Sequence, residues 1–422
     1  MVREDGPETD AVAAGDYPKP AGLLVGTFSS LSVPNFRYLF GGTVAASFAM
    51  WMEQIGQGWL VAQLTNSPFQ LGLVQFLRGL SFVSASPFVG WLCERVDRRW
   101  LAGVASMVNG LSALAIAILI VTDQIAMWQL YIAASVGGFS GSVYNPVRQF
   151  MVYDAVGTEQ LPNAIALNSM ANNAARVIGP GVAGFLISFS ISTAFFGKFI
   201  FFTAATLSLI PMTLSQEVQA QREPMLASIR QGASYLIRHR VLLRLTVLQL
   251  IPTVLVFPYL QLVPLMAKDY LHVGSQGYGW LQTGVGIGSV IGALFIAYFA
   301  GIRRKGAIAN VALVIYMSMI FLFSFSRLYF LSLALLITGG LALVAFTTFN
   351  QTLLQMHVED EYRGRVLALY SLSQGLGSFG SLAMGAVASE VLGTPHTIAL
   401  FCVIAVVLAL FSGLASKDIR DL

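Results

Sequence analysis

About twenty consecutive apolar residues recur twelve times along this chain, with mostly short polar turns between them. Coiled as a helix, a run of that length crosses the hydrocarbon core of a bilayer, and a helix satisfies every backbone N–H and C=O within itself. The runs lie near 37–62, 69–92, 100–121, 127–151, 163–188 and 193–214. After a polar interval they resume near 243–266, 277–300, 307–325, 328–352, 366–391 and 397–415. Breakers mark the turns, as in "TNSPF" at 65–69 and "GTPH" at 393–396. The expected fold is an all-α membrane protein with twelve transmembrane helices. Composition agrees, since 56% of the 422 residues are hydrophobic and 10% are charged, against about a quarter charged in a soluble domain.

Lysine and arginine assign the sides of the membrane. With the N-terminus inside, the inner segments hold eighteen basic residues, among them Arg95, Arg98, Arg99, Arg303, Arg304 and Lys305. The outer loops hold three: Lys198, Lys268 and Arg327. Both termini are therefore expected in the cytoplasm of a multi-pass protein of the inner (plasma) membrane. The organisation expected is a disordered cytoplasmic tail over 1–35, a six-helix bundle over 36–214, a basic cytoplasmic linker over 215–242, a second six-helix bundle over 243–415 and a short tail over 416–422. The tail has no apolar core of the signal-peptide kind. A net charge of +4 then reports topology rather than nucleic acid. Cys93 and Cys402 stand far apart in or beside apolar segments, so no disulfide framework is implied.

The halves echo each other. Shifted by 202 residues, "QFMVYDAVGTEQLPNAIAL" (149–167) lies on "QTLLQMHVEDEYRGRVLAL" (351–369), aligning Gln149 with Gln351 and Glu159 with Glu361. Parallel repeats about an axis along the membrane normal are a transporter architecture, with the substrate site between the halves. The turn "GWLCERVDRR" (90–99) resembles the signature of the major facilitator superfamily between its second and third helices. Gly90, Glu94, Arg95, Arg98 and Arg99 match that signature, and Asp97 stands where the family has glycine. That replacement, together with "NPVRQ…LPNAIALNSMANNAARVIGPGVAG", resembles the exporter branch of enterobactin exporter-like and multidrug efflux proteins. The resemblance implies alternating access and a small-molecule substrate.

The same turn has a physical reading of its own. Charges at the membrane boundary pair more strongly than in water, enough to hold a cytoplasmic gate and still let it break. Gly90 allows close helix approach. Glu94 has a candidate partner in Arg148, and Asp97 or Glu94 could cap the helix beginning near Val366. The competing role is a topogenic turn whose arginines only set orientation.

Three ionisable side chains, Glu53, Arg78 and Arg176, are expected at mid-span depth, where each is costly. Glu53 is the candidate proton-coupling residue, since a carboxylate in an apolar cavity can bind and release protons; a structural ion pair with Arg78 or Arg176 is the other reading. The excess of arginine suits a substrate bearing negative charge. Asn168, Asn172, Arg176, Gly179 and Ala183 share one helix face. The expected central cavity comprises Arg78, Asn145, Asn172, Arg176, Gln249 and Asn350, with Trp51, Trp59, Tyr144, Phe257 and Tyr259 as candidate aromatic walls.

"RVIGPGVAG" contributes Gly179, Pro180 and Gly184, which resemble the Gly-Pro-x-x-Gly-Gly antiporter signature with Ala183 replacing a glycine. Export in exchange for protons is the favoured function. A symporter or uniporter importing a metabolite is the alternative within transport, and a non-transporting membrane scaffold the alternative outside it. The four histidines fall in loops or at helix ends without metal-ligand spacing, and no phosphate-binding glycine motif appears. No enzyme activity, cofactor, metal, ATP or nucleic acid is expected; the partners are a small molecule, protons and the lipid bilayer, with the chain a monomer.

Overall fold

A computed structural model describes residues 28–93, 95–213, 225–298 and 304–414. Most of the 1–35 tail, the 416–422 tail, the start of the 215–242 linker, Glu94 and the surroundings of Gly90 lie outside the described residues. No strand occurs among the described residues. The chain runs through α1 (Pro34–Leu64), α2 (Pro68–Cys93), α3 (Arg98–Val121), α4 (Met127–Phe189) and α5 (Ile191–Leu209). A shorter helix, α6 (Met225–Arg238), leads into α7 (Arg240–Tyr270). Then follow α8 (Ser275–Tyr298), α9 (Lys305–Phe325), α10 (Tyr329–His357), α11 (Asp360–Gly375), α12 (Gly377–Val387) and α13 (Gly393–Ala409).

Seven helical stretches are long and apolar enough to cross a membrane: α3, α5, α7, α8, α9, α10 and Gly377–Ser412, which joins α12 to α13. Helices α1, α2 and α4 are less apolar. They are the ones that carry Glu53, Arg78, Arg148 and Arg176. Outward, the molecule shows Phe88, Trp100, Phe189, Ile200, Tyr298 and Phe411, each more than 60% exposed. Such a surface suits lipid, not water.

Residues 152–162, expected as a loop, are helical instead. Gly157 alone leaves helical geometry there, at φ 67° and ψ −173°, so α4 forms two arms, 127–156 and 158–189. Positive φ at this bend is cheap only for glycine. The equivalent bend of the second half falls at Val358, between α10 and α11, where the backbone is extended (φ −88°, ψ 131°). The 202-residue echo thus marks two helix–bend–helix corners.

Among the N-terminal helices, α1 packs on α4 and α5, α2 on α4, and α3 on α5; among the C-terminal helices, α10 packs on α8 and α9. Two seams join these sets, α4 against α8 and α2 against α12. Both run on glycine. A Cβ on Gly184 would sit 2.9 Å from Gly279 Cα, and one on Gly385 would sit 2.6 Å from the Pro68 carbonyl oxygen. Helix α7 is shaped by Pro252, Pro258 and Pro264, which lack donors. Its hydrogen bonding widens at Phe257 N–H to Pro252 O, 2.8 Å, where the helix opens into a π turn.

Candidate functional site

Between the two sets lies a cavity of about 420 Å3. The N-terminal helices build most of its wall. Helix α1 supplies Ser47 and Glu53, α2 supplies Arg78, and α4 supplies Asn145, Arg148 and Asn172. The C-terminal helices add Phe257 and Gln261 from the widened part of α7, and Ser378 and Ser381 from α12. The cavity reaches from mid-bundle toward the end that bears the Asp97–Arg99 turn. Toward the opposite end the sets close together. There Trp59 stacks on Tyr278 with ring centroids 5.9 Å apart, and Lys268 Nζ donates to the Ala62 carbonyl at 2.9 Å.

At the closed, mid-bundle end of the cavity sits a buried charge cluster. Oε1 of Glu53 lies 2.5 Å from Arg78 Nη2 and 2.8 Å from Lys198 Nζ. The Glu53 and Lys198 side chains are each only 3% exposed. Lys198 sits in α5 and is buried, although the charge count by side assigns it to an outer loop. Its neighbours explain the error: "TAFFGKFIFF" is apolar on both sides, and one lysine near the start of a run reads as a boundary. The structural-pair reading of Glu53 therefore has its partners, Arg78 as expected and Lys198 in place of Arg176. Two cations on one carboxylate leave the cluster with an excess positive charge. Room for it depends on glycine, because a Cβ on Gly137 would come 2.8 Å from Glu53 Oε1 and 3.1 Å from Arg78 Nη2.

Of the expected cavity residues, Arg78, Asn145 and Asn172 line the space. Asn172 is held there by Ser47, whose hydroxyl donates to its Oδ1 at 2.7 Å. Three others do not line it. Arg176, four residues on from Asn172, is exposed and outside the lining; its backbone carbonyl lies against Gly286 of α8. Gln249 and Asn350 are buried within the C-terminal set, where Asn350 Nδ2 donates to the Leu245 carbonyl at 3.1 Å and Gln249 donates to Thr253 at 3.4 Å. Their amides bond to groups of α7, and neither residue lines the cavity. Of the aromatic candidates, Tyr144 and Phe257 line it, while Trp59 stacks on Tyr278 and Tyr259 packs on Phe323.

Sequence reasoning also missed a set of orphan polar atoms. Ser106 Oγ, Asn109 Oδ1 and Arg148 Nε are buried without a hydrogen-bond partner, and all three residues line the cavity. Each such atom costs about 1–3 kcal/mol when left unsatisfied. A serine and asparagine inside "VASMVNGLS" gave no sequence signal, since small polar residues are common in packed membrane helices.

The charged turn is tied into the N-terminal helices. Asp97 caps α3, its Oδ1 accepting the Arg99 backbone N–H at 2.8 Å, and its carboxylate pairs with the Arg99 guanidinium at 3.0 Å. The hydrogen bond from Arg99 holds the Asp97 carboxyl below the usual aspartate range. Arg99 also donates to the Met212 carbonyl, just past α5. Arg98 reaches across to α4, 2.6 Å from Asp154 Oδ2, in a pair whose side chains are 13% and 7% exposed. Arg95 is exposed. Asp154 was not anticipated as a partner; Glu94, the expected partner of Arg148, lies outside the described residues.

Gly179, Pro180 and Gly184 lie in the second arm of α4. A Cβ on Gly179 would press on Trp51 of α1, and one on Gly279 of α8 would meet the Pro180 carbonyl at 2.6 Å. Pro180 and Gly184 thus form the α4 face of one seam between the sets, while Gly179 packs within the N-terminal set.

The family model described as transmembrane secretion effector matches residues 25–420. The chain belongs to this family, within the major facilitator superfamily. It is a multi-pass membrane transporter and not an enzyme. The staphyloferrin A transporter of Staphylococcus aureus is 22% identical over 365 residues, covering 86% of this chain and 91% of that protein. The enterobactin exporter of Shigella flexneri is 22% identical over 361 residues, covering 83% and 84%. Among solved structures, a bacterial homologue of the human lysosomal transporter Spinster, inward-facing and unoccupied, superposes with a TM-score of 0.71 at 12% identity, covering 92% of this chain and 98% of that one. The nucleoside transporter NupG gives 0.67 at 14% identity, covering 90% and 98%. These similarities show that the transporter has the major facilitator fold.

Proposed function

We propose that this transporter exports small organic molecules of siderophore or drug-like size from the cytoplasm by alternating access, in exchange for protons. The observation that carries the reading is the cavity between the two helix sets, with Glu53, Arg78 and Lys198 clustered at its closed, mid-bundle end. On this reading the helices make twelve crossings in two six-helix bundles with both termini in the cytoplasm. The cavity then opens inward, and the Gly184–Gly279 and Pro68–Gly385 seams close the outer side. The excess of positive charge favours a substrate with negative charge. Relatives named as a staphyloferrin A transporter and an enterobactin exporter support export of such molecules. Glu53 is the residue assigned to coupling, because its two cations can be shared with the substrate as access alternates.

The test is accumulation of a compound panel in efflux-deficient cells carrying wild type or Glu53→Gln. The panel contains anionic siderophores, neutral antibiotics and lipophilic cations. Lower accumulation with wild type alone is the expected result. Higher accumulation with wild type would reverse the direction and leave an importer.

A further inference from the structure

We propose that Ser106 and Asn109 of α3, with Arg148 of α4, form a binding subsite for a carboxylate that carries a hydroxyl group close by. This rests on the reading that the transporter takes anionic organic molecules. Arg148 lines the cavity and its Nε has no acceptor. Asn109 is 6% exposed and its Oδ1 has no donor; Ser106 is 1% exposed and its Oγ has neither. All three residues line the same cavity, and the helices that carry them pack together, with Ala105 of α3 and Val147 of α4 in one buried cluster.

The unmet valences define a ligand. A guanidinium N–H asks for an oxyanion, and it stands on a wall where the one carboxylate, Glu53, is already shared by two cations. An amide oxygen asks for a donor, which a carboxylate alone cannot supply. A serine hydroxyl serves either part. A 2-hydroxycarboxylate satisfies all three at once; a plain carboxylate leaves Asn109 unpaired, and sites built to bind a hydroxyl reject analogues that lack it. Ordered water is the competing occupant, since buried water commonly bridges such groups.

The experiment uses the full chain in lipid nanodiscs and calorimetry with two probes, citrate and tricarballylate. These share three carboxylates and differ in the hydroxyl. Citrate is expected to bind at least fivefold more tightly. Asn109→Ala should erase that difference, and Arg148→Gln should weaken both probes about tenfold, with Arg148→Lys keeping part of the loss if the glutamine variant unfolds. Equal affinities in wild type, no binding of either probe, or an undiminished difference in Asn109→Ala would overturn the subsite and leave water as its occupant. Flux of citrate in everted vesicles separates the two claims. Transport that persists with unchanged KM in Asn109→Ala and Arg148→Gln sinks the subsite alone, whereas wild type that moves a lipophilic cation but no anion sinks the anion reading as well.

Discussion

Lys198 of α5 and Glu53 of α1 meet 2.8 Å apart in a setting where each side chain is 3% exposed, and Arg78 of α2 closes on the same carboxylate oxygen. Three helices are thus fastened by one acid. Removing it strands two buried cations, whereas removing Lys198 leaves a neutral Glu53–Arg78 pair. Breaking a buried pair from one side costs about 3–5 kcal/mol. Glu53→Gln should therefore destabilise the protein more than Lys198→Met, and the double variant should be more stable than Glu53→Gln alone. Thermal unfolding of the four proteins in detergent reads this cycle. Additive losses would mean that the two residues do not act as a pair.

The cluster also fixes the size of its neighbours. Gly137 and Gly138 face it from α4, and a Cβ on Gly138 would fall on the Arg78 backbone carbonyl. Gly141, one turn on, has only Phe82 at 4.0 Å. Gly138→Ala should push α2 from α4 and cost about 1–3 kcal/mol, and Gly137→Ala should displace the ion cluster and lower transport. Gly141→Ala should change neither. Unfolding temperature and flux measured side by side check the three variants, and a harmless Gly138→Ala would contradict the packing.

What was legible in the sequence follows from how each signal is written. Apolar runs record the solvent that a helix meets, so the all-helical membrane class was legible, and seven helical stretches are long and apolar enough to cross a bilayer. The cavity face of α4 was legible at Asn145 and Asn172, because polar residues at helical spacing are expensive against lipid. Lys198 was not, because a lone lysine carries no sign of which partner neutralises it until α1 and α5 are in contact. Gln249 and Asn350 misled for a related reason: a buried amide that satisfies a neighbouring helix has the same sequence signature as one that faces a ligand. The 152–162 segment looked like a loop through its charges, yet only Gly157 departs from helix geometry there.

In the charged turn, two ion pairs of similar length differ in worth. Arg98 and Asp154 are mostly buried, whereas Arg99 and Asp97 are 29% and 34% exposed. Asp154→Asn strands Arg98, whose Nε already lacks a partner, and should cost about 3 kcal/mol. Asp97→Ala removes a helix cap and should cost about 1 kcal/mol. The pH dependence has a definite sign. The Asp97 carboxyl is held below its unfolded value of about 3.9 by the hydrogen bond from Arg99. Its contribution is therefore full above that value and disappears only as pH falls through the lowered one. Unfolding of wild type and Asp97→Asn should converge in acid below pH ~4 and differ at neutral pH; a difference that grows in acid would refute the pairing with Arg99.

The two kinds of glycine in α8 separate folding from gating. Gly288 and Gly292 pack on α10 within the C-terminal set, where a Cβ on Gly292 would come 2.7 Å from the Leu341 carbonyl oxygen. Gly279 packs across the seam on Gly184 and Pro180 of α4. Enlarging Gly292 should damage the set itself and lower the unfolding temperature. Enlarging Gly279 or Gly184 should instead hold the far ends of α4 and α8 apart, leaving each set intact while shifting the protein toward a state open at that end. Spin labels on the far ends of α4 and α8 should then report longer distances in Gly279→Val and Gly184→Val and no change in Gly292→Ala. Because alternating access requires that seam to close and open in each cycle, the seam variants should lose flux with a nearly normal unfolding temperature. A seam variant that transports at the wild-type rate would make the glycine–proline motif of α4 simple packing with no part in the cycle.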